Sequence, residues 1–362
     1  MKAASFYERV TDKQDCISEI QLRKAMVYAG RIHDTEKLYF SSSGGAFTVL
    51  TDSFFSHQCA VVSAIYNYDT YQTEFSIILT RNKRDLARGS KYMQSKPGSI
   101  FKDAEQWLKD NPDKTLLFVG MGCQADGFRK YAELKGFRDR VYIVDIVCHG
   151  SPSPKLWREY VQSIEQKHGG KISYLTFKDK RNGWNSPTAV VVINNKEISI
   201  KDYVRIFYNR YALRPSCHVC PYATMDRKTD MTIGDFWHIE QTIPDFYDPN
   251  GTSLFLIHTT RGEELFEKIK GNLDYRLSNT KQCWQANLEA PTPVSEHRQE
   301  FWSDYKRKGI EYIMKKYGSV ALTSRVKNKL LKIIGGGYSL SNTSLIMLTA
   351  PKGGQHNELD AA

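Results

Sequence analysis

The sequence predicts an α/β catalytic unit of mixed α+β type, with a central sheet, flanking helices and a basic helical C-terminal extension. Three observations lead to this. Two apolar runs, residues 115–119 and 141–147, each lead into a glycine-flanked cysteine, and each is followed by a helical pattern, over 125–134 and over Pro154–His168. Strand and helix alternate in this way in α/β folds. Residues 172–200 alternate apolar and polar side chains between turn residues, which predicts antiparallel strands. Residues 303–332 hold nine Lys/Arg against Asp304 and Glu311, with Ile310, Ile313, Met314 and Tyr317 at helical spacing.

Taken in order, residues 1–40 are mixed, and 21–29 reads as a short helix. Residues 41–45 form a turn of small residues that opens a helix over Ala46–Phe55. Residues 59–66 and 74–80 read as strands and 98–110 as a helix. The run 115–119 ends in Gly120, Met121, Gly122 and Cys123, and the run 141–147 ends in Cys148, His149 and Gly150. Ligand sites of α/β proteins gather at the carboxyl ends of strands, so Cys123 and Cys148 are expected on one rim. Residues 212–235 are irregular and cysteine-bearing, 253–259 is a strand, 263–270 a helix, and 352–362 a polar, disordered end.

The 362 residues are 41% hydrophobic, enough for one large or two modest domains. With 51 Lys+Arg against 40 Asp+Glu, the net charge of +11 favours acidic partners. The seven cysteines are Cys16, Cys59, Cys123, Cys148, Cys217, Cys220 and Cys283. Their odd number, the polar character of residues 1–10 and the lack of a run of about 20 apolar residues predict a reducing, cytoplasmic setting. There, cysteines serve as metal ligands, reactive groups or core residues. Cys16, Cys59 and Cys283 fit the core.

Cys217, His218, Val219, Cys220 and Pro221 form the strongest local motif. A C-x-x-C turn aims two sulfurs at one metal, and two more ligands must come from elsewhere. Cys123 and Cys148 bring the thiols to four, a number that suits a cubane cluster and a zinc site alike. A thiol–disulfide pair is a further reading of Cys217 and Cys220, and a buried apolar position is one of Cys123 and Cys148. Ser43, Gly44 and Gly45 open a helix as phosphate sites do, and as plain capped turns also do. Residues 88–95 crowd donors around Gly89: a phosphate or ring-edge site, or a polar loop. Asp235 lies beside Phe236 and Trp237, as an N-cap or as a polar group in a cofactor pocket.

As a set, these residues resemble the coenzyme F-420 hydrogenase/dehydrogenase beta-subunit family. The matching stretches are 41–48, 89–95, 122–124, 144–153, 178–180, 183–184, 217–220, 230–237 and 250–253, which run in family order across residues 38–300. The resemblance implies a flavoprotein that binds FAD and a [4Fe-4S] cluster, with Cys123, Cys148, Cys217 and Cys220 as cluster ligands. It places Ser43, Gly44, Gly45, Ser90, Lys91, Tyr92, Ser95, Gln124 and Gly150 near the flavin, and Asp235 is expected with them as the polar group of a cofactor pocket. His149 is assigned to proton transfer, since imidazole titrates near neutral pH; ordering the cluster loop is its other reading. The family commonly has Gly-Thr-Pro-Cys-Gln where this chain has Gly120, Met121, Gly122, Cys123 and Gln124. The N-terminal ferredoxin-like module of many members has no counterpart in residues 1–40, where Cys16 is the one cysteine.

Four segments follow: a leader (1–37), a flavin-binding part (38–150), a part with the C-x-x-C segment (151–300) and a basic helical tail (301–362). The expected function is electron transfer from an acidic ferredoxin-like carrier, or from a reduced deazaflavin coenzyme as co-substrate, to a small organic acceptor such as a polysaccharide precursor. An electron-transfer subunit without its own substrate is the alternative. A zinc-stapled nucleic-acid-binding protein ranks last, because the basic run lies far from the C-x-x-C, and nucleic acid is not an expected partner. Lys306, Arg307, Lys308, Lys315 and Lys316 are expected to dock the carrier, or to lie on anionic lipid at the inner membrane face.

Overall fold

The computed structural model describes residues 26–319. Its elements in chain order are β1 (Met26–Ile32), α1 (Thr35–Tyr39), α2 (Ala46–Phe55), β2 (Ala60–Asn67), β3 (Gln72–Ile78), α3 (Arg81–Ala87), β4 (Ser95–Lys96), α4 (Ile100–Asp110), β5 (Leu116–Met121), α5 (Gly122–Leu134), β6 (Val141–Ile146) and α6 (Pro154–His168). There follow β7 (Ile172–Asp179), β8 (Thr188–Ile193), β9 (Lys196–Ser199), α7 (Lys201–Tyr208), β10 (Met231–Asp235), α8 (Ile239–Thr242), β11 (Ser253–Ile257), α9 (Thr260–Ile269), β12 (Leu273–Ser278) and α10 (Arg298–Tyr317).

Nine strands form one mixed sheet in the order β12-β1-β11-β10-β6-β5-β2-β3-β4. At its centre β2, β5, β6 and β10 run parallel, while β11 and β1 continue the sheet antiparallel. The central strands are apolar on both faces because helices cover both. Leu117 and Val119 of β5 meet Leu50, Phe54, Leu265 and Phe266 of α2 and α9 in one cluster. Leu116 and Phe118 point the other way, to Ala104 and Leu108 of α4 and Phe128 of α5. The period of two along a strand sets this division. Burial of each such Leu, Val or Phe contributes about 1.5–3 kcal/mol.

Strands β7, β8 and β9 form a separate antiparallel sheet, as the alternation over 172–200 predicts. It packs with α6, α7 and α10 through Trp157, Tyr203, Ile206, Phe301 and Ile313. Helix α6 runs from a proline in its first turn to Gly169 in the left-handed conformation.

Two expectations are corrected. The described part of the helix read over 21–29 is strand β1, whose Val27 and Ala29 face one core cluster while Ile32 faces another; its remainder and Cys16 lie outside the described residues. The irregular stretch 212–235 closes with strand β10, which pairs with both β6 and β11.

The basic helix expected over 303–332 begins at Arg298 and turns back at Gly309, where φ is 76° and ψ −174°. Lys316 Nζ then reaches Glu300 Oε1 at 2.5 Å across a separation of 16 residues, a span of about 24 Å in a straight helix. Asp304, buried at the centre of this hairpin, accepts from Lys316 Nζ (2.7 Å), Tyr317 Oη (2.9 Å) and Arg307 (3.2 Å), and Lys308 lies at 3.5 Å. The part past residue 319 lies outside the described residues. No helix among the described residues is long and apolar enough to cross a membrane.

Candidate cofactor site at the strand ends

Parallel strands β5, β6 and β10 end level with one another: Met121 pairs with Ile146, and Ile146 with Ile233. Two residues past those positions stand Cys123, Cys148 and Asp235. The other two thiols arrive on the turn Pro215–Val219 and its cap Cys220. Two glycines let the segments meet. A Cβ on Gly122 would lie 2.9 Å from Tyr222 Cβ, and one on Gly150, whose φ is +132°, would lie 2.9 Å from Leu213 and 3.3 Å from Cys217 Cβ. Only a residue without a side chain permits these approaches.

Hydrogen bonds fix the arrangement. Tyr222 Oη donates to Asp126 Oδ2 at 3.1 Å, and Arg214 N–H to the Ser151 carbonyl at 2.9 Å. The Thr292 hydroxyl donates to the His149 carbonyl, and the Thr292 carbonyl accepts from His218 Nδ1 at 2.8 Å. One residue thereby ties the Cys148 loop to the Cys217 loop. Below them, the buried Arg227 guanidinium pairs with Asp145 at 3.1 Å and donates to the Ile146 carbonyl.

All four cysteines are free thiols; Cys123 is exposed and the other three are half-buried. Burial, and then the proximity of Cys220 and Cys217, raise the Cys123 pKa. Burial pushes Cys148 up to about 12, with Cys217, Cys123 and Cys220 adding to it against the Gly150 amide. Four thiols close enough to repel one another as anions fit a cationic group that would hold them as thiolates. Among the described residues, no three His, Cys, Asp or Glu side chains are gathered as ligands to a single ion. Three buried polar atoms beside the cysteines, His149 Nε2, Ser151 Oγ and His218 Nε2, lack a hydrogen-bond partner, which suits a neighbouring group with acceptor or donor atoms.

His149 packs edge-on to Phe207, with ring centroids 5.1 Å apart. Burial is the main cause that lowers its pKa to about 4, opposed by Asn287 and reinforced by Arg210 and His218. The ring is therefore neutral at neutral pH.

The residues expected near a flavin fall into two groups. In the first, Ser43 Oγ donates to the Thr252 carbonyl at 2.8 Å, and Lys180 Nζ donates to the carbonyls of Leu38, Ser43 and Asn250. A Cβ on Gly44 would lie 2.3 Å from the Gly30 carbonyl oxygen, and one on Gly45, at φ +87°, 2.7 Å from Ile32 Cγ2. Neighbouring protein, strand β1 above all, therefore demands glycine at both positions. In the second group Gln124 is locked to Ser95: Nε2 donates to the Ser95 carbonyl at 2.9 Å, and Ser95 Oγ lies 3.2 Å from Oε1. Tyr92 stacks on Phe207 at 4.3 Å, shares a 2.8 Å hydrogen bond with Tyr208 and has the Ser90 hydroxyl beside it. Lys91 Nζ donates to the carbonyls of Ala87, Arg88 and Gly89, and burial lowers its pKa to about 7.

The end of β7 links the groups. Buried Lys178 forms an ion pair with Asp235 and lies 5.3 Å from the centre of the Trp237 ring, which stacks on Trp184. Burial disfavours its ammonium, but Asp235 outweighs this and raises the pKa. Lys180, two residues on, has its pKa lowered to about 7 by burial.

Residues 113–282 match the model of a family described as the C terminus of the coenzyme F420 hydrogenase/dehydrogenase beta subunit. This stretch of the chain is similar to that family. An F420-reducing [NiFe] hydrogenase complex from Methanosarcina barkeri holds a chain that is 19% identical, with 80% of this chain and 90% of that one covered and a TM-score of 0.47. No curated protein matches the chain.

The matched F420 hydrogenase/dehydrogenase beta-subunit region holds all four cysteines, His149 and Asp235. It also holds Lys178, Lys180, Tyr208 and Arg227, to which no role was attached on sequence grounds. Two lysines at alternate positions leaving an otherwise half-apolar strand were a usable signal for Lys178 and Lys180. Thr292, beyond the family match, carries no local signal at all.

Proposed function

We propose that the chain is an oxidoreductase of the hydrogenase/dehydrogenase beta-subunit type, with a [4Fe-4S] cluster on Cys123, Cys148, Cys217 and Cys220, and FAD beside it. The observation that carries this reading is that two free thiols at the ends of adjacent parallel strands, Cys123 and Cys148, are met by Cys217 and Cys220 from a separate turn. The cluster would supply single-electron transfer and the flavin hydride chemistry. The chain's residues supply position and electrostatics. Thr292, Arg227 and Tyr222 hold the cysteine loops in register. Lys178 keeps a positive charge at the rim, balanced by Asp235. Stacking on the buried Phe207 fixes the Tyr92 ring in place. His149 presents an unpartnered Nε2, which is our choice for the atom that exchanges a proton with a bound group.

In this reading electrons come from an acidic ferredoxin-like carrier or a reduced deazaflavin and go to a small organic acceptor, with polysaccharide precursors as a candidate class. The family's name is that of a beta subunit, which favours a second reading: an electron-transfer subunit whose acceptor sits on a partner chain.

Anaerobic purification tests the first reading. About four iron and four sulfide per chain are expected, as one four-cysteine cubane requires, with FAD released on denaturation. Cys217→Ser and Cys148→Ser should each lose the iron. Stoichiometric zinc in place of iron would overturn the proposal. Turnover of a small acceptor by the isolated chain separates an enzyme from a subunit without a substrate of its own.

A further inference from the structure

The rim that carries the cysteines is partly exposed, and its surface is not uniformly polar. Cys123 is exposed. Val219, between the two cysteines of the C-x-x-C turn, is 75% exposed, and Val294 is 59% exposed. The bond from His218 Nδ1 to the Thr292 carbonyl brings the loops that carry these valines together. Three arginines belong to the same or neighbouring segments. Arg214 is exposed at the start of the Cys217 turn. Arg298 lies within electrostatic reach of Cys217, and Arg210 within reach of His149. The exposed Glu296 of the same stretch lies 3.5 Å from His297.

The basic hairpin at the end of α10 has a different character. Arg307, Lys308 and Lys316 converge on Asp304, and Lys316 also pairs with Glu300. Much of its positive charge is spent within the hairpin.

On the reading that the cysteines hold an electron-carrying cluster, we propose that the rim formed by Cys123, Val219 and Val294, with Arg214, Arg298 and Arg210 around it, is the docking surface for a small acidic one-electron carrier protein of the ferredoxin class. A small apolar centre inside a charged border suits a transient redox encounter, which buries little area and dissociates readily. The arginines match an acidic partner, and the chain's net charge of +11 draws it in. The valines exclude water at the point of contact. One electron leaves the carrier, which is oxidised, and one is gained at the cysteine-held centre; no bond is made or broken.

The experiment uses the full chain, prepared anaerobically, with iron and sulfide measured first. Reduction is followed in a stopped-flow instrument with two reductants, a reduced two-cluster ferredoxin and dithionite. Val294→Asp, Val219→Ser and Arg214→Glu are compared with Lys306→Ser/Lys315→Ser. Reduction by ferredoxin should slow at least tenfold in Val294→Asp and Arg214→Glu and severalfold in Val219→Ser, while dithionite rates stay within twofold. Arg214→Glu should also flatten the salt dependence. The hairpin variant should behave as wild type. Ferredoxin rates untouched by the rim variants but reduced by the hairpin variant would overturn the proposal, as would equal slowing with both reductants. Wild-type protein that holds iron but is not reduced by ferredoxin would overturn the choice of carrier. Wild-type protein without iron would instead overturn the cluster reading, so the two failures are told apart by the iron analysis.

Discussion

The Thr292 hydroxyl donates to the carbonyl of His149, 143 positions earlier in the chain. With its own carbonyl on His218 Nδ1, Thr292 fastens both cysteine loops. Thr292→Val keeps the shape but leaves the His149 carbonyl unpaired, a loss of about 1–3 kcal/mol. Iron retained after anaerobic gel filtration should fall in Thr292→Val and stay near wild type in Thr292→Ser. Equal iron in both variants would remove the bridging role.

Lys178 and Asp235 neutralise each other in a buried setting, with side chains 6% and 15% exposed. Lys178→Met strands the carboxylate and should cost about 3–5 kcal/mol, whereas Lys178→Met/Asp235→Leu should recover part of it. Urea denaturation of the two single variants and the double variant reads the coupling directly.

Acid should destabilise the fold partly through His258. Burial, then Arg227, lowers its pKa to about 3 against a partial opposing effect of Asp226, and Nε2 shares a 2.7 Å hydrogen bond with Thr232. The unfolded imidazole titrates near 6.5, so below that pH the unfolded chain binds the extra proton. The contribution is fully present above pH about 6.5 and falls away towards pH 3, by at most about 1.4 kcal/mol per pH unit. Denaturation midpoints between pH 7 and 4.5 should drop less steeply in His258→Gln than in wild type.

Gly309 has a φ of 76° and ψ of −174°, a region open almost only to glycine. Gly309→Ala should therefore cost about 1–3 kcal/mol, although open space surrounds the position. The same hairpin holds the Asp304 carboxyl at about 2, chiefly through its bond to Lys316. Its pairing should be complete above pH about 4 and be lost as pH falls towards 2. Asp304→Asn should thus differ most from wild type above pH 4, and the gap in thermal midpoint should close on acidification.

The parallel centre of the sheet was legible because strands covered on both faces are continuous apolar runs, as in β5 and β6. The cysteine rim was legible for the same reason, since each run led straight into a cysteine. Strand β1 was missed: its Met26–Ile32 run is short and mixed, and it is a strand only because β11 and β12 lie on either side of it. The Ser43–Gly45 turn reads in sequence as a phosphate site or a plain capped turn, and what the sequence does not show is that Gly30 and Ile32 stand where side chains on Gly44 and Gly45 would go. Lys178, Thr292 and the reversal at Gly309 depend on partners 57, 143 and up to 16 residues away, which no local pattern encodes.

Strand β1 lies between β11 and β12, with Val27 opposite Leu256 on one side and Ser278 on the other. Neither neighbour exists until some 220 to 250 further residues have been synthesised, which takes roughly 10–50 s at about 5–20 residues per second. Throughout that interval the nascent chain carries an early β-segment with nothing to pair with. An unpaired strand edge of this kind is open to mispairing while synthesis continues, so slower growth should raise the yield of assembled chain.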